Sequence, residues 1–199
     1  MSTKYIFQSG GVRNFPYKKK RWHQEMIKTV SGNPKVLICL FAIPRELWEG
    51  KYPSWCASFQ EDMAADITAE FKMASPKTFV EDCLWADIMY CPGGDDALAK
   101  LWLSKFDLKK LWQGKVVCVN SATSDALSTH YFTCDWRECQ NGLGIVPIKF
   151  LPHYRSNYGA NDPRGPVDWE QGLADLKAYG DTSLPVHALE EGDFVVIEQ

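Results

Sequence analysis

Short apolar runs without alternation constrain this chain more than any other feature. Tyr5-Ile6-Phe7, Val36 to Phe41, Asp87 to Cys91 and Val116 to Val119 read as strands, and an unbroken apolar run is the pattern of a strand covered on both faces. Helical spacing separates them. Trp22 to Val30 fits one helix, and Trp55, Phe59, Met63, Ile67 and Phe71 form a stripe from Ser54 onward. Leu98, Leu101, Trp102 and Phe106 form another, and Trp169, Leu173 and Leu176 mark a helix over Asp168 to Ala178. Thr78-Phe79-Val80 reads as a weaker strand. Strands alternating with helices predict an α/β chain with a mostly parallel sheet in three α/β/α layers. No linker, repeat or low-complexity tract interrupts it, so one domain over 1–199 is expected. The tail runs Val186 to Leu189 and Phe194 to Ile197 flank Glu191-Gly192-Asp193 and predict a closing antiparallel hairpin.

Composition narrows the function classes. The 199 residues carry 45% hydrophobic and 24% charged side chains and a net charge of −3, a profile of a globular chain long enough to bury a core. That charge argues against a nucleic-acid surface, and the one basic run, Lys18-Lys19-Lys20-Arg21, reads as a solvated face before a helix. Neither a signal peptide nor an apolar span of membrane length is seen, so a cytoplasmic chain without membrane contact is expected. The seven cysteines are odd in number and scattered. Cys39, Cys91 and Cys118 fall in buried strands, and Cys134 and Cys139 lack a second pair or histidines at ligand spacing, so all read as thiols. No metal and no organic cofactor is called for, since neither a spaced ligand set nor a dinucleotide fingerprint occurs.

The chemistry concentrates between Gly114 and Ser128. Strand Val116 to Val119 runs into Ser121, and Ala122, Ala126 and Leu127 then follow at helical spacing. A serine at such a strand–turn–helix corner stands above the sheet, with the free N–H groups of the new helix facing any negative charge that forms beside it. The competing reading is a helix cap, which serine favours and which Ser124 offers nearly as well. The glycines of a G-x-S-x-G elbow are absent: Asn120 precedes the serine, and Thr123 and Ser124 follow it. Gly93-Gly94 can supply positive φ or bare N–H donors, or simply a tight turn. His153, after Pro152 and ahead of the glycine- and proline-bearing loop Asn157 to Pro166, would by itself be a loop hydrogen-bonder.

In chain order, Ser9-Gly10-Gly11, Pro92-Gly93-Gly94-Asp95, Ser121-Ala122, Gly142-Leu143-Gly144-Ile145-Val146 with Pro152-His153-Tyr154, and Pro185 to Gly192 tell more together than singly. This set resembles the peptidase E and cyanophycinase family of serine peptidases over nearly the whole chain. The resemblance implies the class I glutamine-amidotransferase-like fold, a flavodoxin-like arrangement. It also implies roles: Ser121 as nucleophile, His153 as its base, Asp135 as the acid that orients the histidine, and the N–H groups of Gly94 and Ala122 as the oxyanion hole. Asp125 and Glu138 are rival orienting acids. Gly93, Asp95, Arg155 and Arg164 are candidate substrate contacts. The arginines are chosen because guanidinium binds carboxylate in a fork, against the plainer account of a solvated arginine. Asn120 and Thr123 stand where family members carry glycine, and a β-branched Thr123 is expected to narrow the cleft or shift the hole.

The function expected from this pattern is hydrolysis of short peptides, including dipeptides with an acidic N-terminal residue. The partners expected are a short peptide substrate and, by resemblance, a second copy in a homodimer; nucleic acid and membrane are not expected. The alternative is a catalytically inactive relative that keeps the fold as a small-ligand or protein-binding module, motivated by the altered elbow. A glutamine amidotransferase with a cysteine nucleophile is disfavoured, because the elbow holds serine and Cys118 lies inside the strand. His23, His130 and His187 lack comparable context and read as structural.

Overall fold

The computed structural model describes residues 2–199. The apolar runs become the centre of a six-stranded sheet. Its strands are β1 (Lys4–Gln8), β2 (Lys35–Ile38), β3 (Glu70–Met73), β4 (Ile88–Cys91), β5 (Val116–Asn120) and β10 (Phe194–Glu198), in the order β10-β1-β5-β4-β2-β3. Every pair but one is parallel; β10 runs antiparallel to β1. All residues of β1, β4 and β5 are buried, as both-face coverage by helices requires. The covering helices include α1 (Pro16–Ile27), α2 (Trp48–Glu61), α3 (Phe79–Trp85), α4 (Asp96–Leu103), α5 (Leu108–Leu111) and α6 (Ala122–Leu127). This is the three-layer α/β/α arrangement expected from the sequence.

A second sheet of four strands extends it: β6 (Ser128–Thr133), β7 (Glu138–Asn141), β8 (Val146–Leu151) and β9 (Val186–Ala188), in the order β7-β6-β8-β9. Phe7 of β1 packs on Phe150 of β8 with ring centroids 5.6 Å apart, so the main apolar core reaches from the first sheet to the second, and Phe132, Leu151, Val167 and Leu176 form a smaller cluster of their own. Helix α7 (Trp169–Ala178) lies on the second sheet. Its C-terminal carbonyls are satisfied by a buried lysine: Lys149 of β8 donates to Leu176 O at 2.9 Å, Lys177 O at 2.9 Å and Tyr179 O at 2.5 Å. The orphan acceptors of a helix end thereby anchor a charge that burial would otherwise make costly.

Four sequence expectations are corrected. The tail does not form a hairpin. Instead β9 adds to β8 in parallel and β10 adds to β1 antiparallel, so 189–193 bridges two sheets. Two open sheet edges offer more pairing than the short tail strands offer each other. Thr78-Phe79-Val80 is a helix start, with the Thr78 hydroxyl donating to Asp82 Oδ2 at 2.7 Å and α3 following. The stripe from Trp55 to Phe71 is not one helix. Its helix, α2, closes at Glu61, and Phe71 falls in edge strand β3 with alternating burial. The basic run lies inside α1 rather than before it. All seven cysteines are free thiols.

Candidate active site

The carboxyl ends of β1, β4 and β5 converge, the usual place for a site in an open parallel sheet. At the end of β5 the chain turns sharply, and Ser121 takes φ 47° and ψ −114°. A non-glycine residue reaches positive φ only at a cost, and such strain clusters at functional positions. Ser121 makes no side-chain cap. Its Oγ instead lies 3.0 Å from Nε2 of His153, so the hydroxyl can donate to the ring. Ser124, the rival cap, donates to Gln8 O at 3.0 Å. The bland reading of Ser121 as a cap therefore fails on geometry.

His153 is 6% exposed and also has positive φ, 55°. Its Nδ1 meets Glu191 Oε1 at 2.9 Å, which fixes the tautomer with Nδ1–H donating to the carboxylate and Nε2 free to accept. Burial pulls the imidazole below its ordinary pKa, and the Glu191 carboxylate partly restores it. A neutral ring is what a base needs. The backbone holds the pair from below. Ser9 Oγ accepts from His153 N at 2.7 Å and donates to Leu189 O at 2.7 Å. A Cβ on Gly10 would stand 2.3 Å from His153 Cε1, and one on Gly11 would stand 2.4 Å from the Glu191 carboxyl carbon. Ser9-Gly10-Gly11 is thus a cradle cut to the histidine and its acid.

The glycine turn after β4 serves the elbow in the same way. A Cβ on Gly93 would lie 2.8 Å from Asn120 O and 3.1 Å from Ser121 Cβ, and one on Gly94 would lie 2.1 Å from Ala42 O. Gly94, Ser121, Ala122 and His153 line one small cavity of about 30 Å³. Ala122 opens α6, and the first N–H groups of a helix have no partner within it.

The remaining assignments divide. Glu191, not Asp135, sits on His153 Nδ1; Asp135 Oδ1 accepts from the Tyr158 hydroxyl at 2.8 Å instead. Glu138 accepts from Gln140 Nε2 on β7, and Asp125 lines the cavity without reaching the imidazole. Asp95 caps α4 by accepting from Leu98 N at 2.9 Å. Arg155 pairs with Glu170 and Arg164 with Asp162, both outside the cavity lining. Thr123 does not narrow the cleft: its Oγ1 donates to Cys91 O at 2.7 Å and accepts from Asn120 N at 2.9 Å, tying the elbow to β4. Sequence reasoning missed Glu191, placing it in a hairpin turn, and missed Tyr158, whose ring stacks on His153 at 4.2 Å between centroids.

A peptidase from an acI-B1 Actinobacterium superposes with a TM-score of 0.66 over 99% of this chain and 84% of its own, at 20% identity. A candidate peptidase E protein from Listeria monocytogenes EGD-e gives 0.62 over 100% of this chain and 98% of its own, at 15% identity. This chain shares their fold. No family model matches the sequence, and no curated protein matches it. The whole length is covered, so β10 and the second sheet belong to the shared architecture along with the parallel centre. Among the described residues no helix is long and apolar enough to cross a membrane.

Proposed function

We propose that the chain is a serine-type peptidase of the peptidase E kind that hydrolyses short peptides. One observation carries the reading: a serine hydroxyl on strained backbone, 3.0 Å from a buried imidazole whose other nitrogen is 2.9 Å from a carboxylate. The peptidase names of the two structural neighbours support it. In this mechanism the Ser121 hydroxyl attacks the scissile carbonyl while His153 Nε2 takes its proton. The resulting imidazolium is held by Glu191, and the proton then passes to the leaving amine. The N–H groups of Gly94 and Ala122 face the oxyanion, a contribution of about 3 kcal/mol per donor in comparable sites. Water repeats the sequence on the acyl-enzyme and frees the serine.

An acidic substrate preference loses the cations that motivated it, since Arg155 and Arg164 are committed to Glu170 and Asp162. The second reading, a binding module without turnover, has Tyr158 on its side, because that ring covers the imidazole. Hydrolysis of Asp-X, Glu-X and neutral dipeptides by wild type and Ser121→Ala separates the two. Turnover that disappears in Ser121→Ala is the expected result; no turnover by the folded wild type moves the conclusion to a binding module.

A further inference from the structure

The parallel pairing of β4 with β5 ends at Cys91 and Val119, where the Pro92-Gly93-Gly94 turn leaves the sheet. On its other side β5 is still paired at Asn120, with Gln8 of β1. The two segments that leave this last rung are held in opposite directions. Ser121 N donates to Gln8 O at 2.8 Å, which draws the elbow toward β1. Asp95 N donates to Ala42 O at 2.7 Å, which draws the glycine turn toward the chain that follows β2. Each segment carries one donor of the proposed oxyanion hole, Ala122 on the elbow and Gly94 on the turn. Whatever spans the gap from β5 to β4 therefore sets the distance between the donors.

Thr123 spans it. Its side chain is buried, and Oγ1 accepts from Asn120 N at 2.9 Å on the β5 side. The one hydroxyl proton has two acceptors in reach, Asn120 O at 3.0 Å and Cys91 O at 2.7 Å, and the shorter contact crosses to β4. Gly93 packs against the same corner, since a Cβ there would stand 2.8 Å from Asn120 O. Resting on the peptidase reading above, we infer that Thr123 is a positioning residue: its hydroxyl clamps the elbow to the Gly93-Gly94 turn and fixes the separation of the two oxyanion donors. Such donors act through preorganisation, so a slackened hole costs rate rather than substrate affinity. The neighbouring Ser124 supplies a contrast. It is as deeply buried on the same turn of helix, but its hydroxyl donates to Gln8 O at 3.0 Å, toward β1 and away from the gap. Glycine, which the family resembled in sequence carries at the position of Thr123, has no hydroxyl, so the clamp is a feature of this chain.

Steady-state kinetics on the dipeptide that wild type cleaves best tests the clamp, with Thr123→Val, Thr123→Ala, Thr123→Ser and Ser124→Ala. Thr123→Val keeps the shape and removes the hydroxyl. It should lower kcat at least about tenfold, a share of the roughly 10²–10³-fold that follows loss of one oxyanion donor, with KM within about threefold. Thr123→Ala buries no methyl against Asn120 N, and it reads the same loss if Thr123→Val does not fold. Thr123→Ser keeps the hydroxyl and should hold kcat within about threefold of wild type, as should Ser124→Ala whatever its melting temperature. The pH at which kcat/KM falls off should be common to all, since His153 and Glu191 are untouched. A kcat within about threefold of wild type in the Val and Ala variants overturns the clamp, as does an equal loss in Ser124→Ala or a moved pH midpoint. Each of those outcomes leaves the peptidase reading standing, because it needs turnover that Ser121→Ala abolishes. No turnover by the folded wild type overturns that reading and the clamp with it.

Discussion

Two histidine–carboxylate pairs lie among the described residues. At His23 of α1, Nδ1 meets Asp62 Oδ2 at 2.7 Å, and at His153, Nδ1 meets Glu191 Oε1 at 2.9 Å. By that measure they are twins. What surrounds them differs. His23 is 1% exposed, packed among Trp22, Phe59 and Tyr90, and its Nε2 finds only the Tyr90 hydroxyl at 3.4 Å. His153 has Ser121 at 3.0 Å, a cavity in front and one glycine, Gly10, cut to its ring behind, with Gly11 cut to its acid. A histidine–carboxylate pair is therefore no mark of catalysis. The strained serine and the space before it are what distinguish the second pair from the first, and the first serves packing.

The largest effect expected is on Ser121→Ala, which should reduce peptide hydrolysis by more than about 10⁴-fold, as removal of a nucleophile in a coupled triad does. Its melting temperature should stay close to wild type, because Ser121 caps nothing. Next comes the acid. Glu191→Gln should lower kcat by about 10²–10⁴-fold, through loss of the tautomer that leaves Nε2 free, while Asp62→Asn at the twin pair should leave kcat within about twofold and lower stability instead. Equal kinetic effects of the two substitutions would break the comparison.

The two rings also separate by pH. Burial holds His23 down at about 4 despite Asp62, against an unfolded value of about 6.5. The unfolded chain then binds the extra proton first. Stability present above about pH 6.5 should be lost by about 3 kcal/mol as pH falls towards 4, in urea unfolding, and the loss should flatten in His23→Gln. His153 is lowered as well, by burial. It must be neutral to act, so kcat/KM should hold steady below the ordinary histidine value of about 6.5 and fall only in more acid buffer. Among the acids near the cavity, Asp135→Asn is expected to change kcat by less than about tenfold, since that carboxylate holds Tyr158 rather than His153.

Much of the site was legible because its parts are local. An unbroken run before Ser121, a pair of glycines after β4, and Ser9-Gly10-Gly11 after β1 announce a strand end each, and strand ends of a parallel sheet meet. Glu191 was not legible for the opposite reason. Alternation in the tail shows two strands but not their partners, and a turn between two strands looks the same whether they pair with each other or with two different sheets. Gly192 N reaching Gly10 O at 2.8 Å, with Lys18 Nζ on Glu191 O at 3.0 Å, decides where the carboxylate points, and both are contacts of distant sequence. Thr78 shows a similar limit: three β-prone residues became a helix start because an acid four positions on accepts from the threonine hydroxyl. Buried Lys149 was hidden too, since its three carbonyl partners come from the end of a helix far along the chain.

The central claim is that Ser121 is an activated nucleophile while the His23 pair is inert. Intact-mass and peptide-mapping analysis after fluorophosphonate treatment tests it most directly. The account predicts a single adduct, on Ser121, absent from Ser121→Ala and formed far more slowly in Glu191→Gln but not in Asp62→Asn. No adduct on the folded wild type, or an adduct that forms at the same rate in Glu191→Gln, would contradict it.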